Sequence, residues 1–210
     1  MNYYLRSKML PNVIWRAPES RVYLTFDDGP DSNVTPRLLD LLQAHQISAT
    51  FFLIGQKVAQ SPEIVSRIQR EGHSVGNHSF THPRMIGKSK AFLLKEIRRT
   101  DESIANVTGK KPSLFRPPYG LFGMKLLRLL PLTEHRMVLW SISALDYRPR
   151  TSPNNLKIRL LKLTTPREII VLHDGHRNGM KTLEALANTL PVWKRRGFIF
   201  SSIPETWSAP

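Results

Sequence analysis

Thr25-Phe26-Asp27-Asp28-Gly29-Pro30 closes a short apolar run, Val22-Tyr23-Leu24-Thr25-Phe26, with two adjacent carboxylates and a Gly-Pro pair. The apolar run reads as a buried strand. Adjacent residues of a strand point to opposite faces, yet at a strand end opening into a turn both carboxylates can be aimed at one cavity. Two like charges that close repel each other and require a metal or a shared proton. Asp, Gly and Pro also make an ordinary turn, so the stretch gains meaning only from what surrounds it.

Outward from this strand the chain alternates. Thr35–Leu42 has leucines at helical spacing, with Pro36 near the start where a missing N–H does no harm. Ala49–Ile54 is a nearly continuous apolar run, as expected of a strand buried on both faces. Ser61–Ile68 begins with a Ser-Pro helix start and ends before Gly72, and His73–Gly76 is a short strand. Lys90–Val107 reads as a long amphipathic helix stopped by Gly109, Ser113–Phe115 as a strand, and Gly123–Leu130 as a short helix. Met137–Ile142 is then a buried strand, Asn155–Leu163 a helix, Glu168–Leu172 a strand, residues 180–196 the last helix and Gly197–Phe200 the last strand. Such alternation predicts parallel βα units in one α/β domain. No Gly-x-Gly-x-x-Gly follows the first strand, which favours a barrel over a dinucleotide-binding sheet. Residues 1–20 are expected to be a lead-in packing on the barrel, with Ile14 and Trp15 covering one end of its core, and 21–210 the single domain.

At 210 residues the chain is long enough for one substantial core. It has no cysteine, so a metal site must use His, Asp or Glu. No apolar run approaches the roughly 20 residues of a membrane span. The N-terminal segment lacks the apolar stretch of a signal peptide, making the cytoplasm the default location. A formal charge of +15 suggests attraction to polyanions. The basic residues are scattered in short groups such as Arg98-Arg99 and Lys194-Arg195-Arg196, with no nucleic-acid-binding signature. A solvated basic surface, able to associate with anionic envelope polymers, is the expectation, without dedicated nucleic-acid binding.

The chemically distinctive residues all follow strands: Asp27 and Asp28, then His78 and His82, Arg116 and Tyr119, Asp146, and His173. In α/β barrels that face carries the active site. His78-Ser79-Phe80-Thr81-His82 places two imidazoles four residues apart, able to reach one metal from a single helical turn. With a carboxylate from Asp28 the set suits a borderline divalent ion such as Zn²⁺ with positions left open. Arg116-Pro117-Pro118-Tyr119-Gly120 is a stiff loop whose Arg can orient a carboxylate and whose backbone can offer N–H donors to an oxyanion. His173, after an apolar strand, is placed to act as a general acid.

Together, Thr25-Phe26-Asp27-Asp28-Gly29, His78-Ser79-x-x-His82, Arg116-x-Pro118-Tyr119-Gly120 and Leu172-His173 resemble, in order, the motifs of the polysaccharide deacetylase family (carbohydrate esterase family 4, the NodB-homology domain). The resemblance covers about Val22 to Ile203 and implies a distorted (β/α) barrel of seven or eight mostly parallel strands. It implies Asp27 as general base, Asp28, His78 and His82 as metal ligands, and the Tyr119 N–H at the oxyanion. It further implies His173 as general acid, Arg116 holding Asp27, and Leu172 lining the acetyl pocket, with Pro118 in the substrate-binding loop. One divalent metal is implied, Zn²⁺ first, with Co²⁺, Ni²⁺ or Mn²⁺ as alternatives. The family's Asp-x-x-Asp-Trp motif departs here to Ser143-Ala144-Leu145-Asp146-Tyr147. Asp146 is kept and is expected to orient His173, Ser143 cannot give Arg116 a charged partner, and Tyr147 keeps an aromatic pocket wall. The implied activity is metal-dependent removal of N-acetyl groups from N-acetylglucosamine units of a glycan. O-deacetylation of xylan-type glycans and a weakly catalytic basic glycan-binding domain are the alternatives. Members of the family usually act in the cell envelope or outside the cell, against the default location above.

Overall fold

The computed structural model describes Leu10, residues 13–205 and Trp207. Eight strands form one sheet: β1 (Val13–Ile14), β2 (Tyr23–Gly29), β3 (Thr50–Leu53), β4 (Ser74–Asn77), β5 (Leu114–Phe115), β6 (Arg136–Val138), β7 (Ile142–Ser143) and β8 (Ile169–His173). Helices α1 (Val34–Ala44), α2 (Gly55–Gln60), α3 (Pro62–Arg70), α4 (Lys90–Thr108), α5 (Met124–Leu129), α6 (Pro153–Leu163) and α7 (Gly179–Arg195) alternate with them. The strand order is β1-β6-β5-β4-β3-β2-β8-β7. Every strand pair is parallel.

The sheet cannot be flat. β6 and β7 lie six positions apart in it, roughly 29 Å at the usual strand spacing. Yet only Leu139, Trp140 and Ser141 connect them, a reach of roughly 14 Å from Val138 to Ile142. The sheet therefore curls until its edges face each other, with the connection crossing the seam. Its backbone is tied to strands on both sides of the seam, Leu139 N–H donating to the Ile14 carbonyl of β1 at 2.8 Å and Ser141 N–H to that of Ile169 of β8 at 3.0 Å. Met137–Ile142 is thus not the single strand its apolar run suggests but two short strands at opposite ends of the sheet. The run is apolar because both ends are buried, not because they are collinear.

Strand alternation sorts the core into two layers. Leu24, Phe26, Phe51, Leu53, Ile170 and Leu172 face outward and pack with Leu38, Leu186 and Trp193 of the surrounding helices. Tyr23, Phe52, Leu114, Val138 and Ile169 fill the barrel's lower interior with Ile203 and Trp207. Above them the inward positions turn polar: Thr25, Arg116, Asp27 and His173. The last expected strand, Gly197–Phe200, contributes only a single bridge from Phe200 to Val22. Within the expected lead-in, Val13–Ile14 is an edge strand paired with β6, so Ile14 belongs to the sheet rather than capping it. Residues 1–9, 11 and 12 lie outside the described residues. Among the described residues no helix is long and apolar enough to cross a membrane.

Candidate active site

A cleft of about 410 Å³ opens at the carboxyl ends of the strands. It is lined by Asp27, Asp28, His78, His82, Tyr119, Trp140, Ser143, Leu145, Tyr147, Val171, His173 and His176. The two adjacent aspartates share this cleft because β2 is irregular there. Asp27 pairs with Phe52 and Gly29 with Leu53, leaving Asp28 as one extra residue, in the left-handed region at φ 71°. A bulge of this kind re-aims a side chain beside an active site. Here it turns Asp28 to the face Asp27 already occupies.

Asp27 is 3% exposed and accepts a 2.7 Å hydrogen bond from Arg116 Nη1. The fully buried Arg116 also donates to Thr25 Oγ1 at 2.6 Å and to the carbonyls of Val138 and Leu139 at 3.1 and 3.0 Å. Its guanidinium lies over the Phe52 ring, 4.0 Å from the centroid. The two carbonyls come from the end of β6 and the start of the seam connection, so four of the five Arg116 N–H groups find acceptors without a second carboxylate at Ser143. Ser143 instead lines the cleft, its Oγ accepting from Leu145 N–H at 3.3 Å.

Asp28, His78 and His82 offer ligand atoms within 4.8 Å of one another. Asp28 Oδ1 lies 3.0 Å from His82 Nε2 and 3.5 Å from His78 Nε2. His78 Nδ1 lies 2.7 Å from the Arg116 carbonyl, which can only accept, so Nδ1 carries the proton and Nε2 presents a lone pair to Asp28. A carboxylate oxygen and an unprotonated imidazole nitrogen aimed at one point fit a cation. Burial alone raises the Asp28 carboxyl, but the two imidazole edges facing it, when they also carry a proton on Nε2, outweigh burial and hold the group well below the usual carboxylate range. The His78–His82 segment is an extended loop, not the helical turn its spacing suggests; Ser79 and His82 have φ of 65° and 56°. It is shaped by its immediate neighbour Asn77 and by a helix farther along the chain. Asn77 Oδ1 accepts from Ser79 N–H at 2.8 Å, and the buried Glu96 carboxylate of α4 accepts from Phe80 and Thr81 N–H at 3.0 and 2.8 Å.

On the far side β8 places His173 opposite Asp27 in register. Asp146 Oδ1 lies 2.8 Å from His173 Nδ1, while its Oδ2 accepts from His173 N–H at 2.7 Å and from Thr182 Oγ1 at 3.0 Å. Burial lowers the imidazole's pKa, but the hydrogen bond and charge of Asp146, aided by Asp27 and Asp28, raise it to about 9. Tyr147, 44% exposed, stands edge-on to His173 at 5.7 Å. Tyr119, 56% exposed, tilts against His82 with ring centroids 4.7 Å apart. Tyr119 adopts φ 60°, ψ 7°, a conformation costing a non-glycine residue about 1–3 kcal/mol and concentrated at functional sites. Pro117 and Pro118 carry no N–H, so Tyr119 provides the first donor of that loop.

Two expected residues are placed differently. Leu172 is fully buried in the outer layer with Leu24 and Phe26, while its neighbour Val171 lines the cleft. Pro118 is buried beneath Tyr119 and is not among the lining residues. Leu172→Ala is accordingly expected to destabilise the fold by about 2–5 kcal/mol without raising KM, read by denaturant unfolding beside steady-state kinetics. A KM rise with unchanged stability would return Leu172 to the pocket. Trp140 and His176 are lining residues that the sequence reading missed. His176 stands three residues after His173, a His-x-x-His spacing visible in the sequence, but its ring reaches the cleft because the 174–178 loop packs against the end of β2, leaving the two rings 6.2 Å apart.

A family model described as polysaccharide deacetylase matches residues 16–138. The peptidoglycan-N-acetylglucosamine deacetylase PgdA of Listeria monocytogenes serotype 1/2a is 35% identical over 205 residues, 98% of this chain but 42% of that protein. The chain thus spans less than half of that relative. A peptidoglycan-N-acetylglucosamine deacetylase of Bacillus cereus is 34% identical over 207 residues, covering 96% of each chain. The crystal structure of the Bc1960 peptidoglycan N-acetylglucosamine deacetylase superposes with a TM-score of 0.90 at 30% identity, covering 99% of this chain and 97% of that one.

Proposed function

Since the chain belongs to the polysaccharide deacetylase family, we propose that it hydrolyses N-acetyl groups of N-acetylglucosamine units in a glycan of peptidoglycan or chitooligosaccharide type. The observation that carries this reading is the facing pair across one cleft. Asp27, held by Arg116, lies in register with the imidazolium of His173, held by Asp146.

The roles follow from the geometry. Asp27 takes a proton from water as its oxygen attacks the acetamide carbonyl carbon. Because Arg116 fixes one oxygen of Asp27, the other is left facing the cleft. The Tyr119 N–H is the candidate donor for the oxyanion that develops. His173 then gives its proton to the departing nitrogen as the C–N bond breaks, leaving acetate and a free amine. Asp28, His78 and His82 would hold the divalent ion, which when bound supplies Lewis-acid polarisation of the carbonyl and acidifies water. Tyr147 and Tyr119 frame the entrance with exposed aromatic faces suited to sugar rings.

Acetate release from chitooligosaccharides and peptidoglycan fragments, with Zn²⁺ or Co²⁺ confirmed bound, tests the proposal. No acetate from any N-acetylated glycan defeats it. Release only from an aryl or xylan O-acetate would instead support the ester reading.

The His173 pair also fixes a pH dependence. Its folded pKa is raised, so stability from the Asp146 contact is fully present below about 6.5 and lost as pH rises through about 9. A cation at Asp28 offsets that residue's share of the rise. The alkaline limb of kcat/KM is therefore expected between 6.5 and 9, and Asp146→Asn should move it downward. An unmoved limb would remove His173 as the acid.

A further inference from the structure

We propose that Lys57 is a positioning residue for the Asp28–His78–His82 set, tying the backbone behind Asp28 to the loop that follows His173. This inference rests on reading that set as metal ligands.

Lys57 projects from α2, a short helix the sequence reading did not anticipate. Its Nζ donates to the Asp28 carbonyl at 2.7 Å and to the Gly175 carbonyl at 3.0 Å. These segments are pressed together: a Cβ on Gly175 would lie 1.9 Å from the Asp28 oxygen. A Cβ on Gly29 would likewise lie 2.5 Å from Asp174 Oδ2. Two carbonyl oxygens converging in a half-buried space repel unless a shared donor sits between them, and the ammonium is that donor. Asp28 is also in the left-handed region, which a non-glycine residue keeps only when its surroundings enforce it.

The start of α2 joins the remaining pieces. The N–H of Ile54, the residue just before α2, donates to the Gly29 carbonyl at 2.9 Å. Gly55 and Gln56 N–H donate to the carbonyls of Ser79 and Phe80 at 3.0 and 3.1 Å. This one turn therefore holds the Asp28 bulge and the His78–His82 loop through its backbone, and the 174–178 loop after β8 through Lys57. Lys57 touches neither the cleft nor a reacting atom, and its effect passes through the direction in which the Asp28 carboxylate points.

Zinc affinity of the purified metal-free protein, titrated in competition with a chromogenic chelator, tests this without turnover. Lys57→Met is expected to weaken zinc binding 10- to 100-fold, the usual effect of removing a group that supports a ligand. Lys57→Arg should recover most of the loss, and exposed Lys162→Met on α6 should bind as wild type. Unchanged affinity in Lys57→Met, or an equal loss in Lys162→Met, would overturn the assignment. Should Lys57→Met not fold, Lys57→Gln takes its place in the same titration under the same criteria. Wild-type protein that binds zinc but releases no acetate would defeat the proposed function and leave Lys57's role standing.

Discussion

Asp27→Asn is expected to lower acetate release by about 10²–10⁴-fold while the protein stays folded and binds metal as before. The amide has the shape of the carboxylate and its oxygen can still accept from Arg116 Nη1, so the buried contact is weakened rather than removed. It cannot take a proton from water near neutral pH, and removing a positioned base costs about this factor. Metal should be retained because Asp28, His78 and His82 form the converging set, whereas Asp27 Oδ2 lies 3.9 Å from His78 Nε2. Kinetics on an N-acetyl chitooligosaccharide with elemental analysis of the same sample makes the check. More than a tenth of wild-type activity would dismiss Asp27 as the base, and loss of metal with loss of turnover would make it a ligand.

Arg116→Met is expected to be the most damaging single substitution for the fold. Arg116 is fully buried and serves Asp27, Thr25 and two carbonyls of the seam at once. A methionine of similar length fills the space over Phe52 but leaves the Asp27 charge without its partner. Breaking a buried pair from one side costs about 3–5 kcal/mol. At this chain length that corresponds to a melting temperature lower by roughly 10 °C. Because the seam carbonyls lose their donors too, the connection between β6 and β7 should open, visible as faster amide exchange at Leu139 and Ser141 in the substituted protein. A thermal transition within two or three degrees of wild type would show that the guanidinium is dispensable to the barrel. Arg116→Lys should recover only part, since one ammonium cannot reach all four acceptors in the fork geometry of Arg.

The mis-assigned leucine shows where sequence reading stops. Leu172 and Val171 are both apolar members of one strand, and which of them meets the cleft depends on a register with period two. His173 is inward because it pairs with Asp27 across β2 and β8; Val171 follows it inward and Leu172 cannot. A slip of one residue, invisible in the run Ile169–Leu172, would reverse every assignment. The same applies to Met137–Ile142, where continuous apolarity conceals a passage between two edges of one sheet. Trp140, Glu96 and Lys57 were missed for a related reason. Each lines or supports the site from a helix or connection whose sequence distance from the motifs says nothing of where the curled sheet brings it.

What the sequence determined by itself was the inventory of chemical groups and their order. Two carboxylates, two imidazoles four apart, an arginine on a proline-stiffened loop and a late histidine are covalent facts, and the carboxylates and the late histidine each follow an apolar run long enough to be a strand. The alternation of strands and helices likewise follows from local periodicity and allows little besides a parallel α/β sheet. Only the tertiary structure decided how those groups are aimed. The bulge at Asp28, the curl that brings the seam carbonyls onto Arg116, and the loop that brings Asp146 to His173 all depend on strands pairing across long sequence separations. The Asp27-Asp28 pair is the clearest instance: its composition is local, but the division between a base on Arg116 and a ligand beside two imidazoles arises from one extra residue in β2 measured against β3.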